Sequence, residues 1–286
     1  MAANSYSIIT FLLVLMGALL PILTESRQLQ HTAKAVIGVD ELRTYLTAFG
    51  YLSKDSTNDE QQQQHLLESA LKTYQRTYKL KVTGKLDSDT MELISTPRCG
   101  MPDHNLINGT TQKGSHQALY KLGSTLWPPT MYHLPYLISQ GDIPAIGIIG
   151  YDALAQAAAQ AFAIWAAVSN FTFTEVGQDK PYYLDLSFRL GEHGDGQPFD
   201  GPLGVLAHAF FPTRGLLHFD ADENWSLAPK QDQFDLVYTA LHEIGHLLGL
   251  AHSENPDAVM YASMKPGAHS RVLHADDIAA IHAMYS

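Results

Sequence analysis

The spacing of hydrophobic residues predicts three short helices near the beginning of the chain. In residues 59–80 apolar side chains recur every three or four positions, which places them on one face of a helix. Residues 40–49 and 88–94 are predicted as two shorter helices, and Asp87 precedes the second as a candidate N-cap. We therefore expect a small compact unit of three helices.

The pattern changes after about residue 131, where short strands dominate. In residues 184–190 the apolar Leu184, Leu186 and Phe188 alternate with polar residues, as in a strand with one buried face. Further strands are predicted at 132–138, 171–176, 205–211 and 216–219, and helices at 152–168, 233–250 and 275–284. Because the strands cluster ahead of the last two helices, the pattern favours an α+β fold over a doubly wound parallel sheet.

Residues 104–130 connect these two regions and are polar and rich in Gly, Ser, Thr and Pro. Their weak hydrophobic periodicity is typical of an exposed, cleavable linker. We place the domain boundary there. This gives a helical domain at 27–103, the linker at 104–130 and a second domain at 131–286.

The first 26 residues predict a secretory signal peptide. Residues 8–23 form an apolar run that is too short and irregular for a membrane span, and small residues follow at Thr24 and Ser26, near which cleavage is expected. Because no Lys or Arg precedes that point, a signal anchor remains the alternative. An exported protein is expected in the extracellular space or cell wall. Three sequons, at Asn108, Asn170 and Asn224, would then be candidate glycosylation sites.

Charge and cysteine content narrow the functional classes. The formal net charge is -11, and the acidic excess lies wholly after residue 117, which argues against nucleic acid as a partner. One cysteine excludes an internal disulfide framework. The 14 histidines in the chain point instead to metal sites.

The strongest chemical signal is a helical segment with His242 and His246 four positions apart. This spacing puts both imidazoles on one helix face, where they can bind one Zn²⁺, while the adjacent Glu243 is not a ligand. Gly249 can end the helix in a left-handed turn and bring His252 round as a third ligand, leaving a fourth position open. The alternative is an amphipathic helix with surface histidines, but such a motif is expected by chance on the order of once in 10⁴ chains.

This motif resembles the elongated zinc motif of the metzincin endopeptidases, and of the matrixins among them. Met260, eight residues after His252, is similar to the methionine turn of that clan, although Ala262 stands where matrixins usually have proline. The resemblance implies a metzincin-like domain with a mixed twisted sheet and three helices. It also implies the roles of four residues: a catalytic zinc on His242, His246 and His252, and a general base at Glu243.

Residues 97–103, with the sequence PRCGMPD, are similar to the cysteine switch of matrixin propeptides. A thiolate is a strong zinc ligand, so Cys99 could fill the fourth position and keep a precursor latent. A lone cysteine is more often a buried or idle thiol, but the surrounding residues and the open zinc site favour the switch. Arg98 and Asp103 are expected to form an ion pair that holds this switch segment (residues 97–103) in place.

The stretch 191–225 also resembles the matrixins. By that resemblance, a second and structural zinc has as its ligands His193, Asp195, His208 and His218. At least one Ca²⁺ is implied on the carboxylates of Asp200, Asp220 and Glu223 and the carbonyls near Gly201, Leu203 and Val205. An acidic, glycine-rich surface loop would explain the carboxylates but not the three interleaved histidines.

Two departures from the animal pattern resemble plant matrixins. The segment 208–218 is short and lacks the Gly-Gly-Asp loop of a further calcium site, so we do not expect that site. The sequence runs to Ser286 with neither a hemopexin-like domain nor a tail for a lipid anchor, so no membrane anchor is expected.

With this resemblance, the sequence predicts a secreted, monomeric zinc endopeptidase made as a latent zymogen. Extended peptide segments of extracellular proteins are the expected partners, paired main chain to main chain beside residues 205–211, with Leu241 and residues 256–261 lining the specificity pocket. The rival hypothesis is a secreted binding or regulatory protein with structural metals only. Glu243 argues against it, because a structural zinc needs no carboxylate next to its first ligand.

Overall fold

The computed structural model describes residues 37–53, 59–104, 123, 125–142, 144 and 149–285. The predicted signal peptide, most of the predicted linker and the sequon at Asn108 lie outside these residues. The described residues from Asp40 onward form one compact unit. Among the described residues, no helix is long and apolar enough to cross a membrane.

Three helices form the N-terminal helical unit: α1 (Val39–Ala48), α2 (Glu60–Thr77) and α3 (Ser88–Ile94). The side chain of Asp87 accepts a hydrogen bond from Thr90 N, which confirms the predicted cap. Asp59 caps α2 in the same way. The predicted helix 59–80 is too long, because Lys79 adopts a left-handed φ of 55° just after α2 ends.

Six strands form one mixed sheet in the order β1-β5-β6-β4-β2-β3. Their bounds are β1 (Arg98–Cys99), β2 (His133–Ile138), β3 (Thr172–Glu175), β4 (Leu184–Arg189), β5 (Val205–Ala209) and β6 (Leu216–Asp220). Neighbouring strands are parallel except for β5 and β6, which are antiparallel. The five predicted strands are therefore present, with ends that differ by one or two residues.

Three strands were not predicted. β7 (Trp225–Ser226) and β8 (Phe234–Asp235) form a separate parallel pair. β1 comes from the switch segment and occupies the edge of the main sheet next to β5. Each of these strands has only two residues, which is too short for an alternating pattern to be recognised.

Three further helices lie among the described residues after 131: α4 (Tyr151–Ala166), α5 (Leu236–Leu247) and α6 (Ala275–Tyr285). The predicted helix 233–250 begins later, because Asp235 is its N-cap and accepts hydrogen bonds from Val237 N and Tyr238 N. It also ends earlier, at Leu247. Gly249 has a φ of 100°, so the helix is followed by the predicted left-handed glycine.

The helix α5 lies inside the domain rather than on its surface. All of its residues are buried, and it packs against α4, where Trp165 Nε1 donates a 2.8 Å hydrogen bond to Leu241 O. A helix that is apolar all round is expected to be buried in this way. The histidines of α5 are consequently held in a dry environment by a rigid element.

Candidate metal centres

The first cluster is built on α5. His242 and His246 project from the same face, and their Nε2 atoms lie 3.1 Å apart. Both side chains are buried, and burial lowers the pKa of His242 to about 3 and the pKa of His246 well below its usual value. Both imidazoles are therefore neutral, which is the form that binds a metal.

Backbone carbonyls fix the orientation of these two rings. Nδ1 of His242 donates to Val259 O at 2.7 Å, and Nδ1 of His246 donates to Leu250 O at 2.6 Å. A carbonyl can only accept, so the proton resides on Nδ1 and the lone pair of each Nε2 points into the cluster. Such partners set the tautomer of metal-binding histidines.

His252 joins the cluster from the loop after the left-handed Gly249. Its ring centroid lies 4.8 Å from that of His246 and 5.3 Å from that of His242. Nδ1 of His252 lies 2.7 Å from Asp103 Oδ1, so the partner of this third ring comes from the switch segment.

Cys99 completes this cluster. Its Sγ lies 3.4 Å from His246 Nε2, and the ligand atoms of the four side chains lie within 4.8 Å of one another. The switch segment is held on two sides, since Gly100 N donates to Ala207 O on β5 and Cys99 N donates to Ala262 O. Three imidazoles and a thiol, all buried, form a donor set that suits zinc.

Glu243 lies beside the cluster but is not one of its grouped ligands. The residue is fully buried, and within the described part of the chain neither carboxylate oxygen has a hydrogen-bond partner of good geometry. Burial raises the pKa of Glu243 to about 8. Burial, and then the nearby Glu243 carboxylate, raise the pKa of the Cys99 thiol.

The turn at Met260 packs beneath α5. Its backbone is held by Asp277 on α6, whose carboxylate accepts hydrogen bonds from Val259 N at 2.9 Å and Met260 N at 3.0 Å. Because Val259 O in turn accepts from His242 Nδ1, Asp277 positions the turn that orients a predicted ligand. Sequence reasoning missed Asp277, which looked like an ordinary acidic residue in the first turn of a helix.

The predicted ion pair of the switch segment is present and buried. Arg98 Nη2 lies 2.7 Å from Asp103 Oδ1, and both side chains are 2% exposed. Tyr51 and Tyr78 of the N-terminal helical unit donate hydrogen bonds to Asp103 Oδ2 at 2.7 and 2.8 Å. Although burial opposes ionisation, the Arg98 guanidinium holds the pKa of Asp103 well below its usual range. No motif or spacing in the sequence indicated the two tyrosines.

A second cluster contains the four residues predicted for a structural zinc: His193, Asp195, His208 and His218. His208 on β5 faces His218 across the antiparallel pair with β6. Asp195 Oδ2 lies 2.7–2.9 Å from one nitrogen of each imidazole. Burial lowers the pKa of His208 and of His218 to about 4, so both rings are neutral. This donor set also suits zinc.

The residues predicted for calcium are less closely grouped. Asp220 and Glu223 are buried, and burial raises the pKa of Asp220 to about 6 and that of Glu223 to about 8. Asp200 is exposed, and its Oδ1 accepts a hydrogen bond from Val205 N at 2.8 Å. In the described part of the chain, these carboxylates do not form a metal-sized cluster, and the carbonyl ligands at Gly201, Leu203 and Val205 remain predictions.

The two described sequons differ in exposure. Asn170 is exposed and lies two residues before the start of β3. Asn224 is half-buried, and its Nδ2 donates to Asp232 O at 3.2 Å.

Two family models match the chain. A matrixin model matches residues 127–286, and a peptidoglycan binding domain model matches residues 38–94. Metalloendoproteinase 1 of Glycine max is 38% identical over 89% of this chain and 84% of that protein. Metalloendoproteinase 5-MMP of Arabidopsis thaliana is 36% identical over 89% of this chain and 73% of its own length. Matrix metalloproteinase-20 of Homo sapiens is 36% identical over 84% of this chain and 48% of its own length.

Proposed function

Since this chain belongs to the matrixin family and is a zinc metalloendopeptidase, we propose that it is made as a latent precursor and cleaves extracellular proteins after its prodomain is removed. In this proposal the prodomain comprises residues 27–103 and the catalytic domain residues 131–286. The catalytic zinc is held by His242, His246 and His252, and Cys99 is the fourth ligand in the precursor.

One observation carries the proposal of latency. Cys99 Sγ lies within the histidine cluster, 3.4 Å from His246 Nε2, and the residue is only 4% exposed. The flanking residues hold the thiol there, because Arg98 N donates to Gly204 O on one side and Met264 N donates to Pro97 O on the other. A thiol fixed at that point leaves no room for a catalytic water.

The chemistry divides between the metal and Glu243. When bound, zinc supplies a Lewis acid that polarises the scissile carbonyl and acidifies water. Glu243 accepts a proton from the attacking water as the water oxygen bonds to the carbonyl carbon. It then delivers that proton to the amide nitrogen as the C–N bond breaks. The buried carboxylate of Glu243 lies close to Cys99, which supports this role.

The substrate takes the place of the switch segment. β1 pairs with the edge of β5, with Arg98 opposite Val205 and Cys99 opposite Ala207. Removal of the prodomain exposes this edge, so that an extended substrate can pair with it main chain to main chain. Backbone pairing is independent of side chains, so selectivity arises from pockets, for which Leu241 and residues 256–261 are the candidates.

The remaining metals have structural roles in this proposal. A second zinc on His193, Asp195, His208 and His218 ties the loop after β4 to the β5–β6 pair. Calcium is bound by Asp200, Asp220 and Glu223 with nearby carbonyls. The buried carboxyl groups of Asp220 and Glu223 support a bound cation, because burial raises the pKa of both and a cation would offset the cost of ionising them.

Secretion rests on the predicted signal peptide at 1–26, which directs the protein to the extracellular space or cell wall. The partners are then extended segments of extracellular proteins, and the enzyme acts as a monomer. Glycosylation at Asn108, Asn170 or Asn224 belongs to the same proposal.

The test of mechanism is Glu243→Gln in the protein freed of its prodomain. The amide is nearly isosteric, so the fold and metal content should be retained while hydrolysis of a quenched peptide falls by roughly 10² to 10⁴. Glu175→Gln, at an exposed carboxylate on β3, is the matched control and should keep full activity. A Glu243→Gln protein with normal zinc content and activity within a few-fold of wild type would exclude Glu243 as the base.

A further inference from the structure

We propose that Asp103 is a positioning residue for His252, so that the prodomain supplies both a zinc ligand and the carboxylate partner of another ligand. This inference rests on the proposed function, in which His252 binds the catalytic zinc. Removal of the prodomain then takes away Cys99 and the partner of His252 together. The zinc of the precursor is consequently held more tightly than Cys99 alone would explain.

The three imidazoles of the cluster differ in the origin of their Nδ1 partners. Val259 O and Leu250 O, which accept from His242 and His246, belong to the catalytic domain and remain after activation. The partner of His252 Nδ1 is Asp103 Oδ1 at 2.7 Å, 149 positions away along the chain. Only this third partner is lost with the prodomain.

Asp103 is itself held firmly enough to orient another side chain. Arg98 Nη2 donates to Oδ1 at 2.7 Å and Nη1 to Oδ2 at 3.2 Å. Tyr51 and Tyr78 donate to Oδ2. The carboxylate is thus anchored through both oxygens to the switch segment and to the residues that follow α1 and α2 in the prodomain. A loosely held surface carboxylate could not fix the ring of His252 in this way.

A carboxylate on Nδ1 affects the metal through the ring. It fixes the tautomer with the proton on Nδ1, aims Nε2 at the metal and increases its basicity. Loss of such a partner typically lowers metal affinity by about 10- to 100-fold. A carboxylate is a stronger partner than the carbonyls that serve His242 and His246, because its hydrogen bond is charge-assisted.

The test measures how fast intact, full-length precursor releases zinc. The released zinc is captured by an excess of a coloured chelator. All proteins carry Glu243→Gln, which prevents autolysis. The kinetics of zinc release are measured for each protein. The kinetic phase that is absent from His242→Ala is assigned to the catalytic cluster. Asp103→Asn should accelerate that phase by about 10- to 100-fold.

A thiol-free background separates a direct effect on His252 from an indirect effect through Cys99. If Asp103 acted only by holding the switch segment, Asp103→Asn would have no further effect in a Cys99→Ser precursor. We expect Cys99→Ser/Asp103→Asn to release zinc at least about tenfold faster than Cys99→Ser. Equal rates for these two proteins would overturn the inference. Absence of the His242-dependent phase from the precursor that carries Glu243→Gln alone would instead contradict the proposed function.

Cobalt substitution supplies a second readout. With the thiol present, the sulfur-to-cobalt charge-transfer band shows whether Cys99 remains bound in each variant. Should Asp103→Asn fail to fold, Tyr78→Phe removes one hydroxyl that holds Asp103 and leaves the ring in place. Faster release from Tyr78→Phe with the cobalt band retained supports the inference, and an unchanged rate overturns it.

Discussion

Met260 fills the space beside the Cα atom of Gly245. A Cβ atom added to Gly245 would lie 2.3 Å from Met260 Sδ and 3.1 Å from Trp165 Cζ2. Gly245 lies on α5 between His242 and His246, so the turn at Met260 touches the backbone that presents both predicted ligands. The helix can approach the turn so closely only because this residue has no side chain.

Gly245→Ala should therefore damage the site without changing any ligand. The methyl group forces Met260 away from α5, and this overpacking should lower the free energy of unfolding by about 1–3 kcal/mol. The same shift displaces the Val259 carbonyl that orients His242. Thermal unfolding and zinc release should both show the effect. Gly150→Ala is the control, because a Cβ there meets nothing within 4 Å. Equal stability of the two variants would refute the contact.

Cys99→Ser should switch on the intact precursor. An alcohol is scarcely ionised at neutral pH and is a far weaker zinc ligand than a thiolate, so water can enter the cluster. We expect uncut Cys99→Ser to cleave a quenched peptide about tenfold faster than uncut wild type, or more. Mass spectrometry must show that neither protein has been clipped, and Cys99→Ser/Glu243→Gln should be inactive. If uncut Cys99→Ser is as inactive as uncut wild type, the prodomain blocks the cleft sterically and the thiol does not cause latency.

The two histidine clusters should respond differently to loss of one ligand. His242→Ala should abolish peptide cleavage and leave a folded protein, because its helix is held by apolar packing on all sides. His208→Ala should lower Tm by about 5 °C or more, since a closed metal site contributes to folding and each kcal/mol corresponds to about 2–4 °C. Calorimetry gives the Tm of both variants, and metal analysis gives the number of zinc ions that each retains. Equal losses of stability would contradict the division into catalytic and structural zinc.

Asp277→Asn should weaken the turn beneath the zinc motif. The carboxylate accepts hydrogen bonds from Val259 N, Met260 N and His274 N, and an amide nitrogen cannot accept at one of those positions. We expect a loss of about 1–3 kcal/mol in the free energy of unfolding, together with faster zinc release. Asp152→Asn, an exposed first-turn acid on α4, is the control and should behave as wild type. A stable Asp277→Asn protein with normal zinc release would show that the turn is held by packing alone.

The sequence by itself determined the parts of the site that lie close together along the chain. His242 and His246 share a face because a helix repeats every 3.6 residues, and Gly249 reverses the chain because glycine adopts a left-handed φ without strain. Asp87 could be recognised as an N-cap because its hydrogen bond to Thr90 N is also local and spans only three residues. Such local features need no knowledge of the rest of the molecule. The switch segment was recognised only by its resemblance to a known family.

The tertiary structure decided the contacts between residues far apart along the chain. Cys99 reaches His246 across 147 positions, and Asp103 reaches His252 across 149. β1 has two residues and forms only because the edge of β5 is available to pair with it. The roles of Asp277, Tyr51 and Tyr78 were hidden for the same reason. Side-chain type and local spacing do not show which distant atom will be the hydrogen-bond partner of a buried polar group. The packing of the sheet and helices selects that partner.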